Sequence, residues 1–175
     1  MFAEARKNMN RKIIFIASPL GMHKRFVVDK AEEIFNITEN EKRLYFTLGT
    51  GSQLVSEKNV WPDIQNTVDN HLTRFPESTF IYYGWQVLEY LDDLRKTYPD
   101  ANYFGYYTVK DHGESVLVEI LANLYDIPHD ETSIRNKMNQ HFDRLEEFYN
   151  LGQPAITMLH GYEGKEQSRK CFFIN

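Results

Sequence analysis

Ile13-Ile14-Phe15-Ile16-Ala17-Ser18-Pro19-Leu20-Gly21-Met22-His23 is the stretch on which the reading of this chain turns. Five apolar residues in a row are what a strand buried on both faces requires. The change to Ser, Pro and Gly marks where that strand gives way to a polar loop. The same pattern recurs at Leu44 to Leu48, which runs into Gly49-Thr50-Gly51-Ser52-Gln53, and at Tyr103 to Val109, which runs into Lys110-Asp111-His112-Gly113-Glu114-Ser115. Ala155 to Leu159 leads in the same way into His160-Gly161-Tyr162-Glu163-Gly164. Thr79 to Tyr83 reads as a further strand, ending at Gly84-Trp85.

Helical spacing fills the intervals. Val27, Ala31, Ile34 and Phe35 follow the first strand, and Pro62 opens a helix with Ile64, Val68, Leu72 and Phe75 on one face. Leu88, Leu91, Leu94 and Tyr98 mark another helix, stopped by Pro99. Leu117, Ile120, Leu121 and Leu124 form a fourth apolar stripe. Asp130 is placed to cap a long helix carrying Ile134, Met138, Phe142 and Leu145. Strands separated by single helices imply crossover connections and a mostly parallel sheet. The expectation is an α/β three-layer sandwich, Rossmann-like, with five or six strands and helices on both faces. Cys171 to Ile174 would add the sixth strand at an edge. Bulky residues on both pleat faces of Tyr103 to Val109 make that strand a central one.

A chain of 175 residues fits one domain, residues 1–175, with residues 1–10 as an N-terminal extension that lacks the apolar core of a signal peptide. The net charge of -5 speaks against a partner bound through its phosphate backbone, so nucleic acid is not an expected ligand. No apolar run approaches the roughly 18 residues of a membrane span. Cys171 is the single cysteine, which excludes an internal disulfide and fits a reducing, cytoplasmic setting. No zinc-protease histidine pair and no calcium loop occurs, so neither a metal nor a cofactor is expected.

If the strands are parallel, their polar loops gather along one rim of the sheet, where open α/β folds bind ligands. Gly49, Thr50, Gly51 and Ser52 would let backbone N–H groups approach an anion. The lysine of a P-loop is missing there, and a plain strand-to-helix turn is the alternative. Ser18 would add a hydroxyl, and His23, Lys24 and Arg25 after the first strand would either bind a phosphate or carboxylate or form the exposed first turn of a helix. Asp111, His112, Glu114 and Ser115 form the densest cluster of titratable and capping side chains, suited either to acid–base work or to satisfying a helix N-terminus. His160 and Glu163 share the last loop with Gly161 and Gly164. Trp85 lies just past a strand end on the same rim, while most other strand aromatics read as core. His141, beside Phe142, reads as a packed histidine.

The strand ending Ala17-Ser18-Pro19-Leu20 and the segment Asp111-His112-Gly113-Glu114-Ser115 resemble pieces of the nucleoside deoxyribosyltransferase group. The resemblance covers about a quarter of the chain. It implies cleavage or exchange of the bond between base and sugar, with Glu119 as the helix carboxylate and Asp111 as the turn aspartate. The spacing departs from that group's pattern, and Ser115 stands for its threonine. The leading expectation is a nucleotide-like or sugar-phosphate ligand, with chemistry at an N-glycosidic bond carried by Asp111, His112, Glu114 and Glu119. The rival is a non-catalytic interaction module that meets a partner, or a second copy, through its tail Cys171-Phe172-Phe173-Ile174-Asn175.

Overall fold

Because Ile13–Ala17 is apolar at every position, β1 can sit only where both its faces are covered, and the sheet is arranged around it. The computed structural model describes residues 12–19, 35–38, 41–49, 53, 58–107, 117–118, 120–151, 155–162 and 165–174. For 107, 155–162 and 165–170 the description is of the backbone. The remaining strands are β2 (Arg43–Thr47), β3 (Thr79–Gly84), β4 (Asn102–Tyr107), β5 (Ala155–Tyr162) and β6 (Lys165–Phe173). Helices described over their full length are α1 (Trp61–Arg74), α2 (Trp85–Glu89), α3 (Leu91–Thr97) and α4 (Glu131–Asn150), and residues 117–118 and 120–123 are helical as well. Together they form an α/β fold around one six-stranded sheet of order β2-β3-β1-β4-β6-β5.

The pairs β2/β3, β3/β1 and β1/β4 are parallel. β6 runs antiparallel to β4 on one side and to β5 on the other, so β5 points the same way as β1 to β4. β4 is interior, as its two-sided bulk predicts. The expected position of the last strand needs correction. Cys171–Phe173 pairs with Tyr106–Phe104 and, through Cys171 and Phe172, with Ile156 and Ala155, so it lies inside the sheet rather than at an edge. Cys171 is 1% exposed, Phe172 0% and Ile174 5%, which removes this segment as an open docking edge. Phe172 lies opposite Gly105, where a side chain would run into its ring. Burial pushes the Cys171 thiol up to about 12, so it stays protonated at neutral pH.

Strand alternation puts one buried cluster on each face of the sheet, and a third joins Trp85 of α2 to Ile134, Met138 and Phe142 of α4. On one face Phe15, Phe80, Tyr82, Tyr103 and Phe172 meet Ile64 and Val68 of α1, Leu88 of α2, Leu91 and Leu94 of α3 and Leu145 of α4. A row of rings crosses four strands there: Phe46 stacks on Tyr82 at 5.4 Å, Tyr82 on Phe15 at 5.2 Å, and Phe15 on Tyr103 at 5.3 Å. Tyr82 also shares a hydrogen bond of 2.9 Å with His71 Nδ1. Tyr82, Tyr83, Tyr103, Phe104 and Tyr106 are therefore core, as their periodicity suggests. On the opposite face Ile14, Ile16, Ile81, Tyr83, Phe104, Tyr106 and Cys171 pack with Phe35 and Ile37.

Local sequence accounts for the helix limits. Pro62 occupies the first turn of α1, where a missing N–H costs nothing. Asp130 caps α4, accepting from the Thr132 N–H at 3.1 Å and the Ser133 hydroxyl at 2.7 Å. The single helix expected over Leu88 to Tyr98 is two, α2 and α3, meeting at Tyr90, whose side chain turns to receive the Val60 N–H at 3.3 Å. No helix among the described residues is long and apolar enough to cross a membrane.

Candidate functional site

Parallel pairing brings the ends of β1, β2 and β3 to one rim, and backbone hydrogen bonds tie them together there. Leu48 N–H donates to the Tyr83 carbonyl at 2.8 Å, Ser18 N–H to the Gly84 carbonyl at 3.3 Å, and Gln86 N–H to the Leu48 carbonyl at 3.2 Å. Two glycines make this junction possible. Gly84 has φ 137° and ψ 177°, a region open in practice only to glycine, and a Cβ there would collide with the Leu48 carbonyl oxygen. Gly49 has φ 106°, and a Cβ on it would lie 2.6 Å from Trp85 Nε1. The indole edge is therefore pressed against the Gly49 backbone.

Two polar groups at this rim are buried with no hydrogen-bond partner among the described residues: the Ser18 hydroxyl and the Trp85 indole N–H. Such groups are costly to leave unmade, and in native proteins each calls for a cause. Trp85 itself is 4% exposed. It stacks on His141 of α4 with centroids 5.9 Å apart, and the Lys137 ammonium lies 5.1 Å from its ring centre.

The carboxylate of Glu89 completes this cluster. Its Oε1 atom accepts from His141 Nε2 at 3.1 Å and from Lys137 Nζ at 3.2 Å. Trp85 and Glu89 are four residues apart on one helix, and Lys137 and His141 are four apart on another. Each pair therefore shares a helix face, and the two faces meet. Burial pushes the Glu89 carboxyl up, but the hydrogen bond from His141 and the charge of Lys137 outweigh it, so the group ends below its ordinary value of 4.5. A depressed carboxyl contributes stability that is present above the unfolded-state value and is lost as pH falls through the folded one. Glu89→Gln should therefore be less stable than the native chain near neutrality, with the gap closing below about pH 4.5. Urea unfolding of both proteins across that range checks this; a gap independent of pH would contradict it.

A cleft of about 270 Å³ opens between the segment carrying Gln53, Lys58 and Asn59 and the α2 surface bearing Gln86 and Glu89, with Lys137 contributing from α4. Gln86 Nε2 reaches Gln53 Oε1 across it at 3.4 Å.

Of the residues expected to form a site, Ser18, Gly49 and Trp85 are brought together at this rim. His160 is not in a loop: its backbone belongs to β5 and pairs with Gln167. His23, Lys24, Arg25, Thr50, Gly51, Ser52, Asp111, His112, Glu114, Ser115, Glu119 and Glu163 lie outside the described residues, as does Asn175. Glu89, Lys137 and His141 were not singled out as site residues. The two matching four-residue spacings were the available signal, but nothing local shows that two distant helices press those faces together. Compared with known protein families, curated proteins and solved structures, the chain matches none of them.

Proposed function

We propose that this chain is a small-molecule-binding α/β domain whose ligand, of nucleotide or sugar-phosphate type, sits at the rim formed by the C-terminal ends of β1 to β4. The observation that carries the reading is the convergence of Ser18, Gly49, Gly84 and Trp85 from three parallel strands, with two buried donors that lack partners among the described residues. Such a rim is where open α/β sheets take up ligands. The strand order supports it further. β1 has β3 on one side and β4 on the other, so the C-terminal end of β4, which Asp111, His112, Glu114 and Glu119 follow in the sequence, lies on the same rim as Ser18. In this reading those residues carry acid–base and nucleophilic chemistry at an N-glycosidic bond. His23, Lys24 and Arg25, which follow β1 in the sequence, supply the anion contacts in this reading, and a Rossmann-like three-layer sandwich is the architecture that it takes.

Equilibrium unfolding in the presence of ribonucleoside monophosphates and sugar phosphates tests the proposal. A ligand at one hundred times its dissociation constant stabilises the fold by about 2.7 kcal/mol. Stabilisation by any of them that Gly49→Val abolishes is the expected result. Stability unchanged by every compound overturns the reading.

A further inference from the structure

Among the described residues Glu89 is bound through one oxygen only. Its Oε1 atom takes both donors that α4 offers, His141 Nε2 at 3.1 Å and Lys137 Nζ at 3.2 Å, and Oε2 has no partner among the described residues. The carboxylate lies in the wall of the cleft beside Gln86, Gln53 and Asn59, and Lys137 is exposed to the same space. Two donors on Oε1, with His141 packed against Trp85, hold the group in place and keep it charged at neutral pH. The cleft therefore presents a fixed acceptor with unused lone pairs, an ammonium with donors to spare, and amides that both give and accept.

The sign of the charges narrows what fits. A cationic ligand group would compete with Lys137 for Glu89 and be repelled at close range. An anionic group placed on Lys137 would meet the Glu89 carboxylate, because the two are 3.2 Å apart. A neutral hydroxyl suits both, since it donates to Oε2 and accepts from Lys137 Nζ. Two adjacent hydroxyls can share the two lone-pair directions of one carboxylate oxygen.

We propose that the cleft at Glu89 and Lys137 is the sugar subsite of this domain and binds the vicinal hydroxyls of a ribose-type sugar. The inference rests on the rim reading above and goes further by assigning the part of the ligand and the residues that read it.

Isothermal titration of the full chain with ribonucleoside monophosphates and with their 2′,3′-dideoxy counterparts tests it, repeated on Glu89→Gln. Loss of hydrogen bonds to a charged group should weaken the dideoxy compounds about tenfold or more. The Gln variant, with one acceptor oxygen in place of a carboxylate, should lose most of that preference. Equal affinity for ribo and dideoxy compounds in the native chain would overturn the sugar assignment and leave the rim site standing. Binding of neither series would overturn both. A preference retained in full by a folded Glu89→Gln protein would also reject Glu89 as the reading group. Should that variant fail to fold, the comparison of the two compound series on the native chain decides alone.

Discussion

A chain lacking residues 171–175 is expected not to form a stable domain. Cys171, Phe172 and Ile174 are each at most 5% exposed, and a fully buried apolar side chain of this kind contributes about 1.5–3 kcal/mol. Three of them amount to roughly 6 kcal/mol, comparable with the entire stability of many domains at about 5–15 kcal/mol. Their removal also strips β4 of its partner along Phe104–Tyr106 and opens both cores, since Cys171 faces one and Phe172 the other. The milder change Phe172→Ala should cost about 3–5 kcal/mol, the range for deleting a large ring from a packed interior. Far-UV circular dichroism of the truncated chain, with urea titration of the point variant, measures both. A shortened protein that unfolds cooperatively within about 1 kcal/mol of the full chain would show that β6 is not an interior strand. An effect on association without one on stability would restore the tail as an assembly surface.

Gly84→Ala should be the most damaging single methyl addition at the rim. The residue adopts φ 137° and ψ 177°, which costs a side-chain-bearing residue about 1–3 kcal/mol. The new methyl would also overlap the Leu48 carbonyl oxygen, adding an overpacking penalty of about 1–3 kcal/mol. The sum is about 3 kcal/mol or more, unless the strand ends separate. Separation would break the Gln86-to-Leu48 and Ser18-to-Gly84 hydrogen bonds and release Trp85 from Gly49. Trp61 is the other tryptophan, so a Trp61→Phe background isolates Trp85 emission as the readout of that release. Native-like stability with unshifted Trp85 fluorescence in Gly84→Ala would mean that β2 and β3 do not end in the contact described.

The parts of the fold that were legible in the sequence are those set by local pattern. The continuous apolar run of β1, the Pro62 start of α1 and the Asp130 cap of α4 each announce themselves within a few residues, because burial period and capping chemistry are local properties. The position of β6 is not of that kind. Cys171-Phe172-Phe173-Ile174 has the composition of a strand, but pairing between β4 and β5 depends on residues tens of positions away. The break between α2 and α3 was hidden for a similar reason, since the apolar spacing runs through it and the Tyr90 hydroxyl meets the N–H of Val60, thirty positions away. At the rim, Ser18, Gly49 and Trp85 could be placed because each directly follows a strand. Glu89, Lys137 and His141 could not, because a carboxylate and its two donors acquire meaning only when α4 lies against α2.

The antiparallel placement of β6 also bears on the order in which the molecule assembles. β5 and β6 are separated by two residues and form a hairpin of eight matched pairs, whereas β6 meets β4 across a span of more than sixty residues. Short-range pairing closes sooner because less chain entropy is lost in bringing the ends together. The hairpin should therefore form first and dock onto β4 as one piece. Until it does, the hydrogen-bonding side of β4 that faces away from β1 stays open, offering a transient edge to which a second unfinished chain could add.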